Sequence, residues 1–249
     1  MSKPDIAVRA FGDYHEAITD VPPDLRTLTK EVTGKPVRRV GRFIQLGLIG
    51  AARCVGSERL APDTAVYLTS RRGDLEVTIE VMEELFRHGH APKPLSFINT
   101  VSNAACYYIA RHFELHGRSC FVGGARFAFE TALDLALLEM RAGVVRSALV
   151  GCIEIATDPL SVHRQRLRLA PDAPIAEASH WLWLEAQAKP GGPGVDVQFF
   201  SNLDDLTAWM AFQGADPART AFSQGQFLAE RGAASFQLVL RLRGSCNDL

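Results

Sequence analysis

The stretch GRSCFVGGAR, residues 117–126, decides the fold. A short apolar run over 119–122 is followed by the small residues of 123–125 and then by a helix predicted over 127–141. This order places Arg126 at the N-terminus of the helix, where backbone N–H groups and the helix dipole favour an anion or a thiolate. A guanidinium cannot attack a carbonyl carbon. A position suited to a nucleophile therefore carries a residue that is not one.

Helical and strand-like segments alternate on both sides of this stretch, as they do in α/β sheets. The predicted helices cover 38–54, 73–89, 103–116 and 127–141, with Ser102 expected to cap the third, and the predicted strands cover 6–10, 64–70, 119–122, 147–156, 181–186 and 235–242. We interpret 1–249 as a single domain. Its residues 195–249 are interpreted as a C-terminal extension whose last strand rejoins the sheet.

Charge and hydropathy exclude several classes of protein. The formal net charge of -1 and the pI near 6.7 give no reason to expect nucleic acid as a partner. The mean hydropathy is +0.01, and no apolar run is long enough to span a membrane. Because no signal-type apolar stretch follows Met1, we expect a cytoplasmic protein.

The cysteines and histidines predict neither a metal site nor a disulfide framework. The cysteines are odd in number and contain no Cys-x-x-Cys pair: Cys54, Cys106, Cys120, Cys152 and Cys246. His112 and His116 are four residues apart, but histidines are favoured near a helix C-terminus without any metal. His88 and His90 lie in a predicted turn. We therefore expect no metal and no cofactor.

Several motifs resemble those of one enzyme family and occur in the family's order. They are RFIQL at 42–46, PLSFINTVSNAA at 94–105, LHGRS at 115–119, EMRAG at 139–143, ALVGCIE at 148–154 and AEASHWLWLE at 176–185. With this spacing, residues 38–185 resemble the N-terminal half of the β-ketoacyl synthases, which have a thiolase-like fold. The resemblance implies a layered α/β/α architecture with a mixed, largely parallel sheet and a truncated C-terminal half.

The chain departs from the family at the catalytic positions. In β-ketoacyl synthases a cysteine on the strand-to-helix elbow accepts the acyl group, and two histidines of the C-terminal half assist decarboxylation. Here the elbow position falls on Arg126, and no histidine follows His180. Without a thiolate and a histidine pair, condensation lacks its nucleophile and its oxyanion support. The resemblance therefore implies no catalytic residue for a conventional synthase reaction.

Arg126 has two interpretations. In the first, its guanidinium reaches a carboxylate such as Glu154 or Glu130 and, together with Phe127, fills the former acyl pocket. In the second, the elbow is distorted and the guanidinium points to water. A cation at a helix N-terminus is locally unfavourable, so the first interpretation requires an offsetting anion.

Two surfaces are candidate interaction sites. Arg164, Arg166 and Arg168 alternate along a segment that, if extended, has one positively charged side, and acyl carrier proteins are acidic. The alternative is a solvated loop with no partner. The family's dimer interface corresponds to the segments that contain Asn103, Tyr107, Tyr108 and Cys120, which predicts a homo- or heterodimer through these residues.

The sequence leaves more than one function open. The resemblance favours a non-catalytic subunit similar to chain-length factors, which would support carrier-protein-dependent fatty acid or polyketide chain building, for example of aryl polyenes or pigments, beside a full-length ketosynthase. The alternatives are an acyltransferase or hydrolase of altered chemistry and a homodimer that binds an acyl chain or acyl-CoA. The product and the identity of the partner synthase do not follow from the sequence.

Overall fold

A computed structural model describes residues 5–124, 128–157 and 159–187, together with three later strands at 194–200, 220–224 and 237–243. Arg126, Phe127 and residues 188–193 lie outside the described residues.

The described residues form eight strands and seven helices. In chain order they are β1 (Asp5–Ile18), α1 (Leu25–Thr33), α2 (Arg42–Val55), β2 (Ala65–Ser70), α3 (Leu75–Phe86), α4 (Pro94–Asn99), α5 (Ala104–His112), β3 (Ser119–Gly123), α6 (Ala128–Arg141), β4 (Ser147–Glu154), α7 (Leu160–Leu167), β5 (Ile175–Gln187), β6 (Gly194–Phe200), β7 (Thr220–Gln224) and β8 (Gln237–Arg243). The strands form one mixed sheet in the order β3-β2-β4-β5-β1-β6-β8-β7.

Parallel pairing is confined to β3, β2 and β4. The other described pairs are antiparallel, including β4 with β5 and the 13-residue register that joins β1 to β5. The sheet is therefore mixed, as predicted, with a smaller parallel share than predicted. The final strand β8 pairs with β6 and β7, and β6 meets β1 at Gly194 and Ala7.

Helices cover both faces of the sheet, which confirms the predicted α/β layering. The larger apolar cluster packs α2 and α5 against one face and includes Leu46, Ile49 and Trp181. The other cluster packs α6 against the opposite face through Leu133 and Leu137. Each fully buried aliphatic side chain of this kind contributes about 1.5–3 kcal/mol to folding.

Helix α2 approaches β5 so closely that only a residue without a side chain fits at Gly50. A Cβ there would lie 2.6 Å from Cδ1 of Trp181 and 2.7 Å from the carbonyl oxygen of Ser179. The small residues of α2 thus let the helix backbone lie directly on the sheet. This contact fixes the layer spacing beside β4, whose carboxyl end forms part of the candidate site.

Several segments differ from the sequence prediction, and two of them bear on the proposed interaction sites. Helix α5 ends at His112, because Glu114 adopts a left-handed backbone conformation with φ of 57°, and its N-cap residue is Asn103 rather than Ser102. Residues 160–167 form the helix α7 instead of an extended segment. The alternation of arginines there does not reflect a strand, since Leu160 and His163 lie one helical turn apart and are both buried.

Candidate functional site

The carboxyl ends of the three parallel strands meet at one edge of the sheet. Strand β2 ends at Ser70, β3 at Gly123 and β4 at Glu154. Helix α6 starts at Ala128, so the elbow joins β3 to α6 at the same edge. Open α/β sheets bind their ligands outside the carboxyl ends of their strands. This edge is therefore the candidate site.

Two carboxylates flank a cysteine at this edge. Glu130 lies in the first turn of α6 and is only 7% exposed, while Cys152 and Glu154 end β4. Burial, and then the negative charges of Glu154 and Glu130, raise the pKa of the Cys152 thiol to about 12. The sulfur is therefore a neutral thiol at physiological pH, and not a nucleophilic thiolate.

Glu154 is held by the turn that follows β2. Its Oε1 accepts a hydrogen bond of 2.6 Å from the backbone N–H of Arg71. Burial raises the pKa of Glu154, whereas that N–H and the charges of Arg72 and Arg71 oppose the rise. The structure thus brings together the two carboxylates proposed as partners of Arg126. The pairing itself stays a prediction, because Arg126 and Phe127 are outside the described residues.

The turn after β2 also shapes the start of α3. Ser70 Oγ accepts hydrogen bonds from the N–H groups of Arg72, at 3.3 Å, and Gly73, at 2.9 Å. Gly73 has φ of 63°, a left-handed conformation that favours glycine. Asp74 caps α3, since its Oδ1 accepts from the N–H of Val77 at 3.3 Å. Burial raises the pKa of Asp74 to about 7.

Helix α7 supplies a histidine that the sequence analysis missed. His163 Nδ1 accepts a hydrogen bond of 2.7 Å from the backbone N–H of Thr157, and Nε2 lies 3.0 Å from Nη1 of Arg72. Burial, followed by the charges of Arg72 and Arg166, lowers the pKa of His163 to about 4. The imidazole is therefore neutral at physiological pH. We call Arg72, Glu130, Cys152, Glu154 and His163 the carboxyl-end cluster.

One signal in the sequence pointed to this cluster. Arg71 and Arg72 directly follow a fully buried parallel strand, which is the position where such sheets place functional side chains. His163 had no comparable signal, because it lies on a largely polar helix 91 residues away from Arg72.

A buried ion pair stabilises the structure next to the carboxyl end of β4. Arg42 donates to both oxygens of Glu177, from Nε at 2.6 Å and from Nη2 at 2.5 Å, and Glu177 is fully buried. Glu177 Oε1 also accepts from the N–H of Ala156 at 2.9 Å, while Arg42 Nη1 donates to the carbonyl of Pro23 at 2.6 Å. The pair thus joins α2, β5 and the segment that follows β4.

The three arginines proposed for carrier-protein docking do not share one face. Arg164 is only 8% exposed, and it donates to the carbonyl oxygens of Ala173, at 2.7 Å, and of Thr19. Its role is to hold α7 in place. Arg166 and Arg168 are exposed, so carrier docking by these two stays a prediction.

The proposed interface residues lie around β3, the outermost strand at one side of the sheet. Tyr107 is 58% exposed, and its ring meets that of Tyr108 edge-on at 5.5 Å between centroids. Asn103 is exposed at the start of α5, and the Sγ of Cys106 on that helix approaches the carbonyl oxygen of Cys120 in β3. Helix α4 exposes further apolar side chains: Phe97 at 59% and Ile98 at 57%, followed by Val101 at 51%. We call β3, Phe97, Ile98, Val101 and Tyr107 the edge surface.

Within the described residues, no helix is both long and apolar enough to span a membrane. The same residues contain no group of three or more His, Cys, Asp or Glu side chains arranged to hold a metal ion.

The comparisons with known proteins agree with this architecture. The model of the β-ketoacyl synthase N-terminal domain matches residues 5–172. Among curated proteins, no sequence matches. Several solved structures share the fold. The ishigamide ketosynthase/chain length factor has a TM-score of 0.66 at 16% identity, over 85% of this chain and 74% of that chain.

Two further structures are similar. The ketosynthase ApeO in complex with its chain length factor ApeC, from Xenorhabdus doucetiae, has a TM-score of 0.61 at 15% identity, over 96% of this chain and 100% of that chain. AntDE:AntF, a type II PKS acyl-carrier protein in complex with its ketosynthase bound to the hexaketide, has a TM-score of 0.54 at 14% identity, over 91% of this chain and 65% of that chain. The TM-scores show a shared fold, and the family model covers more than half of the sequence. The chain therefore belongs to the β-ketoacyl synthase family.

Proposed function

We propose that the chain is a non-catalytic ketosynthase-like subunit that pairs with an active, full-length ketosynthase during carrier-protein-dependent building of fatty acid or polyketide chains. Its membership of the family and its structural similarity to a ketosynthase complex with a chain length factor support this role. In such a pair, the active subunit performs the condensation, and this chain completes the dimer.

The single observation that carries the proposal is the environment of Cys152. Burial, followed by the negative charges of Glu154 and Glu130, raises the pKa of the thiol to about 12 and keeps it protonated. Burial also raises the pKa values of Cys54 and Cys106 to about 12. A nucleophilic cysteine needs the opposite environment, with a cation, a helix N-terminus or a histidinium beside the sulfur. The elbow position of the sequence carries Arg126, which cannot replace a thiolate.

The edge surface supports the pairing with a second subunit. Strand β3 ends the sheet and pairs, within the described residues, only with β2, so its outer N–H and C=O groups are available to another strand. Exposed apolar side chains lie on α5, which packs against β3 and carries Tyr107, and on α4, which precedes α5 in the chain and carries Phe97 and Ile98. An apolar patch with aromatic residues beside an open strand is typical of a protein interface. Asn103, Tyr108 and Cys120 belong to the same proposed contact.

The carrier protein is the second proposed partner. Arg166 and Arg168 are exposed on and directly after α7, close to the carboxyl ends of β2 and β4. Basic side chains near the mouth of a site attract an acidic carrier through long-range electrostatics. Arg164 takes no part in this contact, because its guanidinium is occupied by backbone carbonyl groups.

The proposal is tested by reconstituting the pair. The tagged chain is purified with the full-length ketosynthase that accompanies it, and light scattering after size exclusion measures the stoichiometry. The complex is then incubated with an acyl-loaded carrier protein, and intact-mass spectrometry locates any acyl group. We expect one copy of each subunit and an adduct on the active synthase alone. An acyl adduct on this chain would instead establish an acyltransferase or hydrolase of altered chemistry.

A further inference from the structure

Two hydrogen-bond donors face each other between Arg72 and His163. The N–H of Thr157 points at Nδ1 of His163, so Nδ1 is an acceptor and carries no proton. A neutral imidazole has one N–H, which must then be on Nε2. Nε2 lies 3.0 Å from Nη1 of Arg72, and a guanidinium nitrogen can only donate. The N–H groups of both residues thus converge without an acceptor between them.

Positive charge accumulates around this point. Arg72 and Arg166 both lower the pKa of His163, and Arg72 contributes to lowering the pKa of Arg71, after burial. No ion pair among the described residues includes the guanidinium of Arg72. The neighbouring carboxylate, Glu154, directs its Oε1 at the backbone N–H of Arg71 instead. Among the described residues, Arg72 therefore forms no direct ion pair, although Glu154 is close enough for its charge to interact with that of Arg72.

We propose that Arg72, His163 and Arg166 form a binding site for the oxyanion of a phosphate group. One phosphate oxygen accepts from Nε2–H of His163 and from the guanidinium of Arg72, and Arg166 contributes charge from the surface. Arginine is suited to phosphate because its planar donors bind two oxygens at once. The site lies at the carboxyl ends of β2 and β4, where α/β sheets bind ligands. It does not depend on the proposed function.

The two donors differ in how they accommodate the ligand. His163 is 2% exposed and is fixed by Thr157, whose Oγ1 also lies 3.0 Å from Nδ1. Arg72 is half-buried and has a long, flexible side chain. An oxygen at a normal hydrogen-bond distance of about 2.9 Å from both nitrogens can bridge them at their separation of 3.0 Å. His163 thus provides a fixed donor, while the longer side chain of Arg72 adjusts to the ligand.

The site is tested with inorganic phosphate as the probe. A nearby anion favours the imidazolium form, so bound phosphate raises the pKa of His163. NMR titration of the His163 ring in the whole chain, with and without phosphate, measures this pKa. We expect an upward shift of about one unit or more in phosphate. An unchanged pKa in saturating phosphate overturns the proposal.

Variants separate the site from general electrostatics. Arg72→Gln is expected to weaken phosphate binding about tenfold or more, and Arg72→Lys, which keeps the charge but loses the planar donors, to weaken it less. Arg59→Gln removes the same charge from an exposed position after α2 that belongs to neither proposed site, and it should leave binding unchanged. Circular dichroism confirms that each variant folds. If R72Q and R59Q weaken binding equally, the site is overturned in favour of diffuse attraction.

The source of the phosphate is distinguished with a matched pair of ligands, 4′-phosphopantetheine and pantetheine. Tighter binding of phosphopantetheine than of inorganic phosphate, together with no binding of pantetheine, assigns the site to a phosphate carried on a larger molecule. Equal affinity for phosphopantetheine and inorganic phosphate assigns it to free phosphate. Equal affinity for pantetheine and phosphopantetheine overturns the proposal, because the phosphate group would then contribute nothing.

Discussion

At the carboxyl ends of β2 and β4 the chain buries charge, whereas along β3, α4 and α5 it exposes apolar side chains. Glu130 in the carboxyl-end cluster is 7% exposed, while Phe97 on the edge surface is 59% exposed. Soluble proteins ordinarily arrange these groups the other way round. The comparison teaches that the two regions differ in what they contribute to the isolated chain. Buried charge must be stabilised by partners within the fold, whereas the exposed apolar side chains form the surface that the proposed pairing would cover.

The largest effect on stability is expected from breaking the buried ion pair between Arg42 and Glu177. Glu177→Ala leaves the guanidinium of Arg42, whose side chain is 12% exposed, without its carboxylate. Removing one partner of a buried ion pair typically costs about 3–5 kcal/mol, because the remaining charge stays desolvated. We expect a loss of this size in the free energy of unfolding, measured by urea denaturation of the whole chain.

A matched exposed pair provides the control. Glu83 and Arg87 lie four residues apart at 3.2 Å, and both side chains are largely exposed. Glu83→Ala should therefore change the free energy of unfolding by only about 0.5 kcal/mol or less. Equal losses in E177A and E83A would contradict the view that the charge near the carboxyl ends is structural.

The edge surface is tested by charging its most exposed aromatic residue on α5. Tyr107→Arg places a cation in the proposed interface, where central aromatic residues contribute most of the binding energy. We expect affinity for the co-purifying ketosynthase to fall about 100-fold, which corresponds to about 2.7 kcal/mol. Surface plasmon resonance with the immobilised synthase measures the change.

Phe11→Arg is the control for this substitution. Phe11 is 60% exposed, much as Tyr107 is, but it lies on β1 in the interior of the strand order rather than at the β3 end. The F11R variant should keep the parental affinity. Loss of binding in F11R alone would move the interface away from the edge surface.

The sequence predicted which strands form better than it predicted where each strand begins and ends. Strands β2 and β4 are continuous apolar runs, a local property that depends on no other segment. Strand β1 was predicted over 6–10 and extends to Ile18. Its additional residues include charged ones such as Asp13 and Glu16, so no apolar pattern predicts a strand there. They form a strand because they pair with β5. Such pairing across the chain is not visible in a local pattern.

The candidate site was predicted only in part for the same reason. The motif at 148–154 indicated Glu154, and the helix after the elbow indicated Glu130. Both residues lie near the carboxyl ends of the parallel strands, where the elbow connects β3 to α6. The contact between Arg72 and His163 joins residues 91 positions apart and exists only because α7 returns across the end of β2. The segment at 164–168 was considered as an extended strand or a loop and is mainly helical, since a short polar helix and an exposed strand have similar compositions.

Asp74 gives a pH-dependent test of the buried charge. Its pKa is raised from 3.8 to about 7 by burial, so the folded state favours the protonated form. The stability from this group is fully present below pH 3.8 and is lost as the pH rises through 7. An asparagine side chain cannot ionise and is an equally good helix cap. Asp74→Asn should therefore stabilise the chain by about 2 kcal/mol at pH 8 and leave it nearly unchanged at pH 4.

Urea denaturation of the parent and the D74N variant at the two pH values checks this result. Asp24 provides the control, because it caps α1 through a hydrogen bond to the N–H of Arg26 but is exposed to solvent. Asp24→Asn makes the same exchange of a carboxylate for an amide at an exposed helix cap, so it measures the effect of the exchange without burial. A stabilisation of D74N that is the same at both pH values would show that the gain does not come from ionisation.

The smallest effect is expected on the edge surface of the isolated chain. Ile98 is 57% exposed, so Ile98→Ser removes little buried apolar area and should change the free energy of unfolding by less than about 0.5 kcal/mol. The same substitution at the fully buried Ile109 should cost about 4 kcal/mol, because it leaves a cavity and buries a hydroxyl. Both are measured over a series of protein concentrations. A large, concentration-dependent loss in I98S would mean that copies of the chain already cover this surface, since association stabilises the folded state by mass action. The edge surface would then belong to a homodimer rather than to a contact with a synthase.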